Sequence, residues 1–135
     1  IKTFNYLPED ALKIRLKVFV KEQGFTDEID EIDEYAIHFL CVENEKPVAT
    51  CRIFQSGVDN YTLGRLAVLK DYRLKAIGSK LLKKAETSAK ELGASALILH
   101  SQLQAREFYE KNGYEQFGDL DHEQNQPHIW MKKHL

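Results

Sequence analysis

Between Leu66 and His100 the spacing of apolar residues changes period twice, and few architectures accommodate both changes. Leu66-Ala67-Val68-Leu69 reads as strand. Ile77, Leu81, Leu82, Ala85, Ala89 and Leu92 then fall on one helical face, while Lys80, Lys83, Lys84, Glu86 and Lys90 fall largely on the other. Gly93 ends that helix, and Ala96 to His100 returns to a compact apolar strand. The stripe on such a helix has to be buried against a sheet.

The flanks supply that sheet. Lys2 to Tyr6 is a short strand, and Pro8 suits the first turn of a helix with Leu12, Leu16 and Phe19 on its inner face. Ile37–Val42 and Val48–Phe54 are apolar runs split by the turn residues Glu43 to Pro47, and so form a hairpin. Tyr61 to Leu69 continues with a third strand. Beyond His100, an amphipathic helix from about Gln102 to Lys111 stops at Asn112-Gly113. Tyr114–Phe117 and His128–Lys132 close the chain as strands, joined by a polar loop holding His122, Glu123 and Pro127. The order predicts one α/β (α+β) domain over residues 1–135, with a mixed sheet flanked by helices and not a doubly wound parallel one.

Composition narrows the function. A chain of 135 residues, 43% hydrophobic, suits one core. Nineteen basic and 21 acidic side chains give a net charge of −2, so no overall positive field invites nucleic acid. No segment has the signature of a signal peptide or approaches the roughly 18 apolar residues of a membrane span, so a cytoplasmic, membrane-free protein is expected. Cys41 and Cys51 sit in apolar strands, where cysteine serves as a small hydrophobe. The acidic stretch from Asp27 to Glu34 reads as a solvated loop or short helix, on the surface and not in a site.

The strongest local signal is the junction of strand and helix, Arg73-Leu74-Lys75-Ala76-Ile77-Gly78-Ser79. Backbone N–H groups opening a helix lack intrahelical partners and, with the helix dipole, suit a phosphate. The same residues also fit an ordinary strand-to-helix turn in which Gly78 eases packing.

Together with the strand before it, this junction resembles the acyl-CoA-binding motif of the GNAT superfamily: Arg or Gln, two residues, Gly, one residue, Gly or Ala. Ala76 replaces the first glycine. A second match follows in Gln102, Ala105, Tyr109, Gly113 and Tyr114, where the family commonly begins with asparagine. The segments from Val18 to Phe25, Asp33 to His38 and Pro127 to Ile129 look like the ElaA-like branch.

The resemblance implies a GNAT fold with a sheet of about six to seven strands, acetyl-CoA as cosubstrate, no metal, a small-molecule amine as acceptor and a possible homodimer. It implies cofactor contacts from Leu66, Ala67, Val68, Arg73, Leu74, Lys75, Ala76, Ile77, Gly78, Ser79, Gln102, Phe108 and Tyr109. The strand from Leu66 to Val68 would pair with the pantetheine arm, a backbone N–H near Val68 would polarise the thioester carbonyl, and Tyr109 would protonate the departing thiolate. Phe108 beside it also reads as a core aromatic. Direct attack by the neutral amine needs no covalent enzyme intermediate, so positioning and charge stabilisation would carry most of the rate.

The base is open among Glu22, Glu34, His38, Glu123 and His128, any of which could act directly or through water; the resemblance favours Glu123, then His128, then His38. Two other readings remain: a module that binds acyl-CoA without turnover, raised by Ala76 and Gln102, and a metal site of His122, Glu123 and His128, whose spacing matches no compact helical metal motif.

Overall fold

The computed structural model describes residues 1–26 and 29–135. Among these, seven strands form one sheet: β1 (Lys2–Phe4), β2 (Ile37–Glu43), β3 (Lys46–Gln55), β4 (Asn60–Val68), β5 (Ala96–Gln102), β6 (Glu115–Glu123) and β7 (Gln126–His134). The helices are α1 (Glu9–Arg15), α2 (Ile77–Glu91) and α3 (Arg106–Lys111). The strand order is β1-β2-β3-β4-β5-β7-β6, antiparallel throughout except for β4 with β5. That exception follows from the connection, since parallel neighbours need a crossover and α2 provides it.

Each face has its own core. Ile77, Leu81, Leu82, Ala85 and Ala89 of α2 pack on Phe39, Val48, Cys51, Ile53, Leu97, Leu99 and Met131. Leu92, expected on that stripe, is half exposed because the helix has ended beneath it. Both cysteines are buried and free, and burial pushes both thiols up. On the opposite face α1 and the segment after it place Ala11, Ile14, Val18 and Phe19 over Leu40 and Ala67.

The α1 stripe differs from the expected one: Leu16 is exposed and Arg15 is buried. From Leu16 to Glu22 the helix continues in π geometry, whose wider turn resets which side chains face inward. Arg15 turns inward because Asp33 meets it there, with paired contacts of 2.8 and 3.0 Å.

Asp33 also corrects the surface reading of the acidic stretch. It lies in a short 3-10 turn, Glu31–Glu34, is 5% exposed, and receives a second guanidinium from Arg52 at 2.8 Å. Arg52 further grips Asp30 at 2.6 and 3.0 Å. Burial acts to raise the Asp33 carboxyl, but Arg15 and Arg52 overcome it and hold the group well below the usual carboxylate range. Asp27 and Glu28, part of the same reading, lie outside the described residues.

The last hairpin is longer than its apolar content suggests. Gln124 and Asn125 both take positive φ, 49° and 63°, forming a two-residue turn that lets β6 run to Glu123 and β7 start at Gln126. His122, Glu123 and Pro127 are therefore strand residues and not loop residues.

Candidate active site

β4 and β5 pair only from Asn60 with Ala96 to Leu63 with Leu99. Past that point they diverge. In β4 a bulge intervenes: Thr50 of β3 faces Ala67 while Arg52 faces Gly64, and Arg65 takes φ 54°. A bulge bends its strand and sharpens the local twist. The divergence opens a cleft of about 220 Å³ bordered by Leu66 on one side and Ser101 on the other, with Phe19 and Phe25 closing one end and Tyr109 another.

The open edge of β4 offers hydrogen bonds. The Leu69 N–H bonds to the Val48 carbonyl of β3, so alternation turns the backbone groups of Leu66 and Val68 the other way, into the gap. Ala67 faces the α1 core instead. At the end of this edge sits the start of α2, which carries no side-chain cap.

The expected phosphate loop has two structural peculiarities. Ala76 sits in the left-handed region, φ 60° and ψ 15°, as the residue before the helix, and Leu74 does the same at φ 65°. Ala76 thus holds a conformation natural to glycine, not the helical one that would suit alanine. At Gly78 a Cβ would come within 3.2 Å of the Phe108 ring and 3.8 Å of Val68, so its smallness sets the approach of α2 to α3 and β4. Arg73 folds back: its Nε donates to the Val68 carbonyl at 2.9 Å, and its guanidinium pairs with Glu22 at 2.6 and 2.9 Å. Lys75 reaches over the Tyr72 ring, Ile77 is buried, and Ser79 is half-buried.

Tyr109 of α3 borders the cleft at 8% exposure, and burial pushes its phenol above its ordinary range, so the group is a proton donor at neutral pH. It is held edge-on by Phe108 and Tyr114, whose hydroxyl donates to Glu86 at 2.9 Å. Gln102 ends β5 and spans the cleft mouth: its amide donates to Gln23 at 2.8 Å and accepts from Gln104 at 2.6 Å.

On the face beyond α1, β5, β7 and β6 bring together a cluster only half foreseen. The register pairs His100 with Trp130 and His128 with Asp121, putting all four, with Glu123, on one side of the sheet. His128 is buried, and its Nδ1 lies 2.9 Å from the Gln126 carbonyl. A carbonyl only accepts, so in the neutral ring Nδ1 holds the proton and Nε2 turns its lone pair toward Glu123, 3.9 Å away. His100 stacks on Trp130 and reaches Asp121 at 2.6 Å through Nε2 and Glu123 at 3.3 Å through Nδ1.

The other candidate bases lie elsewhere. Glu22 is bound to Arg73, whose hydrogen bond lowers its carboxyl. His38 is buried on β2 against the Asp33 carbonyl at 3.1 Å, and burial lowers its ring. Neither they nor Glu34 borders the cleft. His122, next to Glu123 on β6, points to the opposite side of the strand, so His122, Glu123 and His128 do not converge; among the described residues no cluster of metal ligands forms.

His100, Asp121 and Gln23 were not singled out by sequence. The signal for His100 was available: Leu97 and Leu99 face the α2 core, so Ile98 and His100 share the other face. Asp121 could not be found without the extent of β6.

A sequence profile described as the acetyltransferase (GNAT) domain matches residues 6–135. The uncharacterized N-acetyltransferase YjcF of Bacillus subtilis is 37% identical over 93% of this chain and 91% of its own length. Among solved structures, one from Lactobacillus plantarum assigned as an N-acetyltransferase superposes with a TM-score of 0.90 at 27% identity, covering 99% of this chain and 97% of the other. Escherichia coli ElaA follows at 0.83 and 27%, covering 92% and 87%. An aminoglycoside 6'-N-acetyltransferase complexed with coenzyme A shares the fold at 0.76 and 20% identity, covering 99% and 97%.

Proposed function

The chain belongs to the acetyltransferase (GNAT) domain family, and from that membership we propose that it moves the acetyl group of acetyl-CoA onto a primary amine of a small molecule. The carrying observation is the cleft itself, bordered by Leu66 where β4 has parted from β5 and by the buried Tyr109, with the uncapped start of α2 lying beyond the end of that strand. An acyl-CoA fits these residues: pyrophosphate at the N–H groups of Ile77, Gly78 and Ser79, and pantetheine hydrogen-bonded as an added strand to Leu66 and Val68. Coenzyme A in the aminoglycoside-acetylating neighbour supports the same choice of ligand.

The acyl-CoA supplies an activated thioester; the chain supplies positioning and proton control. An amine with a pKa of about 10.4 is protonated at neutral pH, and freeing its lone pair costs roughly 4–5 kcal/mol. Glu123 and the Nε2 lone pair of His128 stand at the acceptor end of the cleft to take that proton. With the thioester held there, the Val68 N–H would stabilise charge on the carbonyl oxygen as the amine nitrogen bonds to the carbonyl carbon, and Tyr109 would give its proton to the sulfur as the C–S bond breaks. The second proton lost by the nitrogen would restore the phenol through solvent.

The test is calorimetric binding of acetyl-CoA and of CoA, with thiol release measured on a panel of amines. Amine-dependent release is the expected result. Binding without release points to an acyl-CoA-binding module, and no binding overturns the proposal.

A further inference from the structure

The acceptor end of the cleft holds a histidine that the reading above leaves idle. His100 borders the cleft from β5, with a 21% exposed side chain, and each of its ring nitrogens faces a different carboxylate. Asp121 lies at 2.6 Å from Nε2 and Glu123 at 3.3 Å from Nδ1, while the same Glu123 oxygen turns toward His128. Trp130 stacks on the ring at 4.5 Å between centroids, 23° from parallel, and fixes its plane.

A neutral imidazole has one N–H, so it can donate to one of these carboxylates only. With Asp121 taking the short bond from Nε2, the Nδ1 lone pair confronts Glu123, and that contact is favourable only when one proton lies between the two atoms. Such a site accepts a proton from outside with little rearrangement. Among the described residues, the charged groups around it are Asp121 and Glu123 from β6, His128 from β7, and Arg65, which borders the same cleft from β4, with Tyr109 from α3 as a further titratable group on the cleft.

We propose that His100 is the proton-holding residue of the acceptor site, acting through Glu123. This rests on the amine-acetylation reading. The N–H bond of the acceptor ammonium breaks, its electron pair stays on nitrogen, and the proton passes to Glu123 and on to Nδ1 of His100. Asp121 keeps the Nε2–H and balances the imidazolium charge. His100 is a positioning residue in this scheme, since Glu123 is the group that touches the amine. The two histidines differ in their contacts: His128 is held through Nδ1 by the Gln126 carbonyl with Nε2 turned toward Glu123, whereas each ring nitrogen of His100 faces a carboxylate.

The experiment compares wild type with His100→Gln and, at a more exposed position, Asp121→Asn, using acetyl-CoA with cadaverine, spermidine and kanamycin across pH 6 to 10. For His100→Gln, kcat at neutral pH is expected to fall about 10²-fold, with the KM for acetyl-CoA unchanged. That deficit closes as pH approaches the amine's own pKa of about 10.4, where solvent has already removed the proton. Asp121→Asn shows a smaller deficit of the same form. A loss equal at every pH in both variants, or no loss in either, overturns the relay while leaving acetyl transfer intact. If wild type releases no thiol with any of the three amines, the acetylation reading fails and the relay with it. Should His100→Gln not fold, imidazole ¹⁵N resonances of wild type and Glu123→Gln decide: the His100 Nδ1 signal moves on that substitution if the proton is shared, and an unmoved signal overturns the proposal.

Discussion

One face of the sheet carries two clusters of acids and bases, and they are put to opposite uses. Over β2 and β3, Arg15, Arg52, Asp33 and His38 lie sealed under α1, with the two guanidinium groups sharing Asp33 and Arg52 also gripping Asp30. Over β5, β7 and β6, His100, His128 and Glu123 border an open cleft with Asp121 behind His100, in one short contact of 2.6 Å and two longer ones of 3.3 and 3.9 Å. With Asp30 included, the first cluster pairs its two cations with two carboxylates and clamps α1 to the sheet. The second keeps proton-accepting atoms turned toward the cleft in which the proposed amine would sit. Charge density along the sequence points to the first; the proposed chemistry belongs to the second.

The sharpest way to break this contrast is Asp33→Ala. It removes the paired carboxylate of buried Arg15 and one of the two carboxylates on buried Arg52, and a loss of about 3–5 kcal/mol is expected, read as a fall in the urea midpoint. A loss below about 1 kcal/mol would place the sealed cluster among ordinary surface pairs.

Glu123→Gln is the counterpart. Activity should fall about 10²-fold, while stability stays within about 0.5 kcal/mol because the side chain is 51% exposed. Equal losses in both properties would erase the distinction.

Acid titration separates the halves in a third way. Asp33 is depressed below its unfolded value, so its contribution is present above about pH 3.9 and disappears as pH falls further toward its folded value. Wild type should lose thermal stability steeply below about pH 4, and Asp33→Asn less steeply. Parallel curves would shift the acid sensitivity to other carboxylates.

The smallest effect serves as a control outside both clusters. Ala76→Gly relaxes a left-handed alanine but frees the unfolded chain, and the two terms of about 1 kcal/mol nearly cancel. Melting temperature and acetyl-CoA affinity should both stay near wild type. A large gain in affinity would show that the Ala76 methyl group obstructs the phosphate.

Most of the fold was legible because periodicity survives in single strands and helices. The α2 stripe, both cysteines and the hairpin from Ile37 to Phe54 can be read from spacing alone. The π-helical turn after Arg15 was not, nor was the burial of Arg15, whose partner lies 18 residues further on. Site residues divide the same way. Tyr109 and Gly78 belong to local patterns that the folded chain sets beside the cleft and β4. The polar half of the cleft depends on cross-strand register, which pairs Gln102 with His128 and Asp121 with His128. No local spacing encodes that register.

β6 has a further consequence, for solution behaviour. It is the outermost strand on its side, nine residues long and exposed along its whole length, a form that invites edge-to-edge association. Glu115, Asp119, Asp121 and Glu123 line it with like charge, and Gly118 at φ 74° interrupts its run. Those like charges disfavour edge-to-edge contact with a second molecule, and neutralising Asp121 or Glu123 is expected to lower the colloidal stability of the protein.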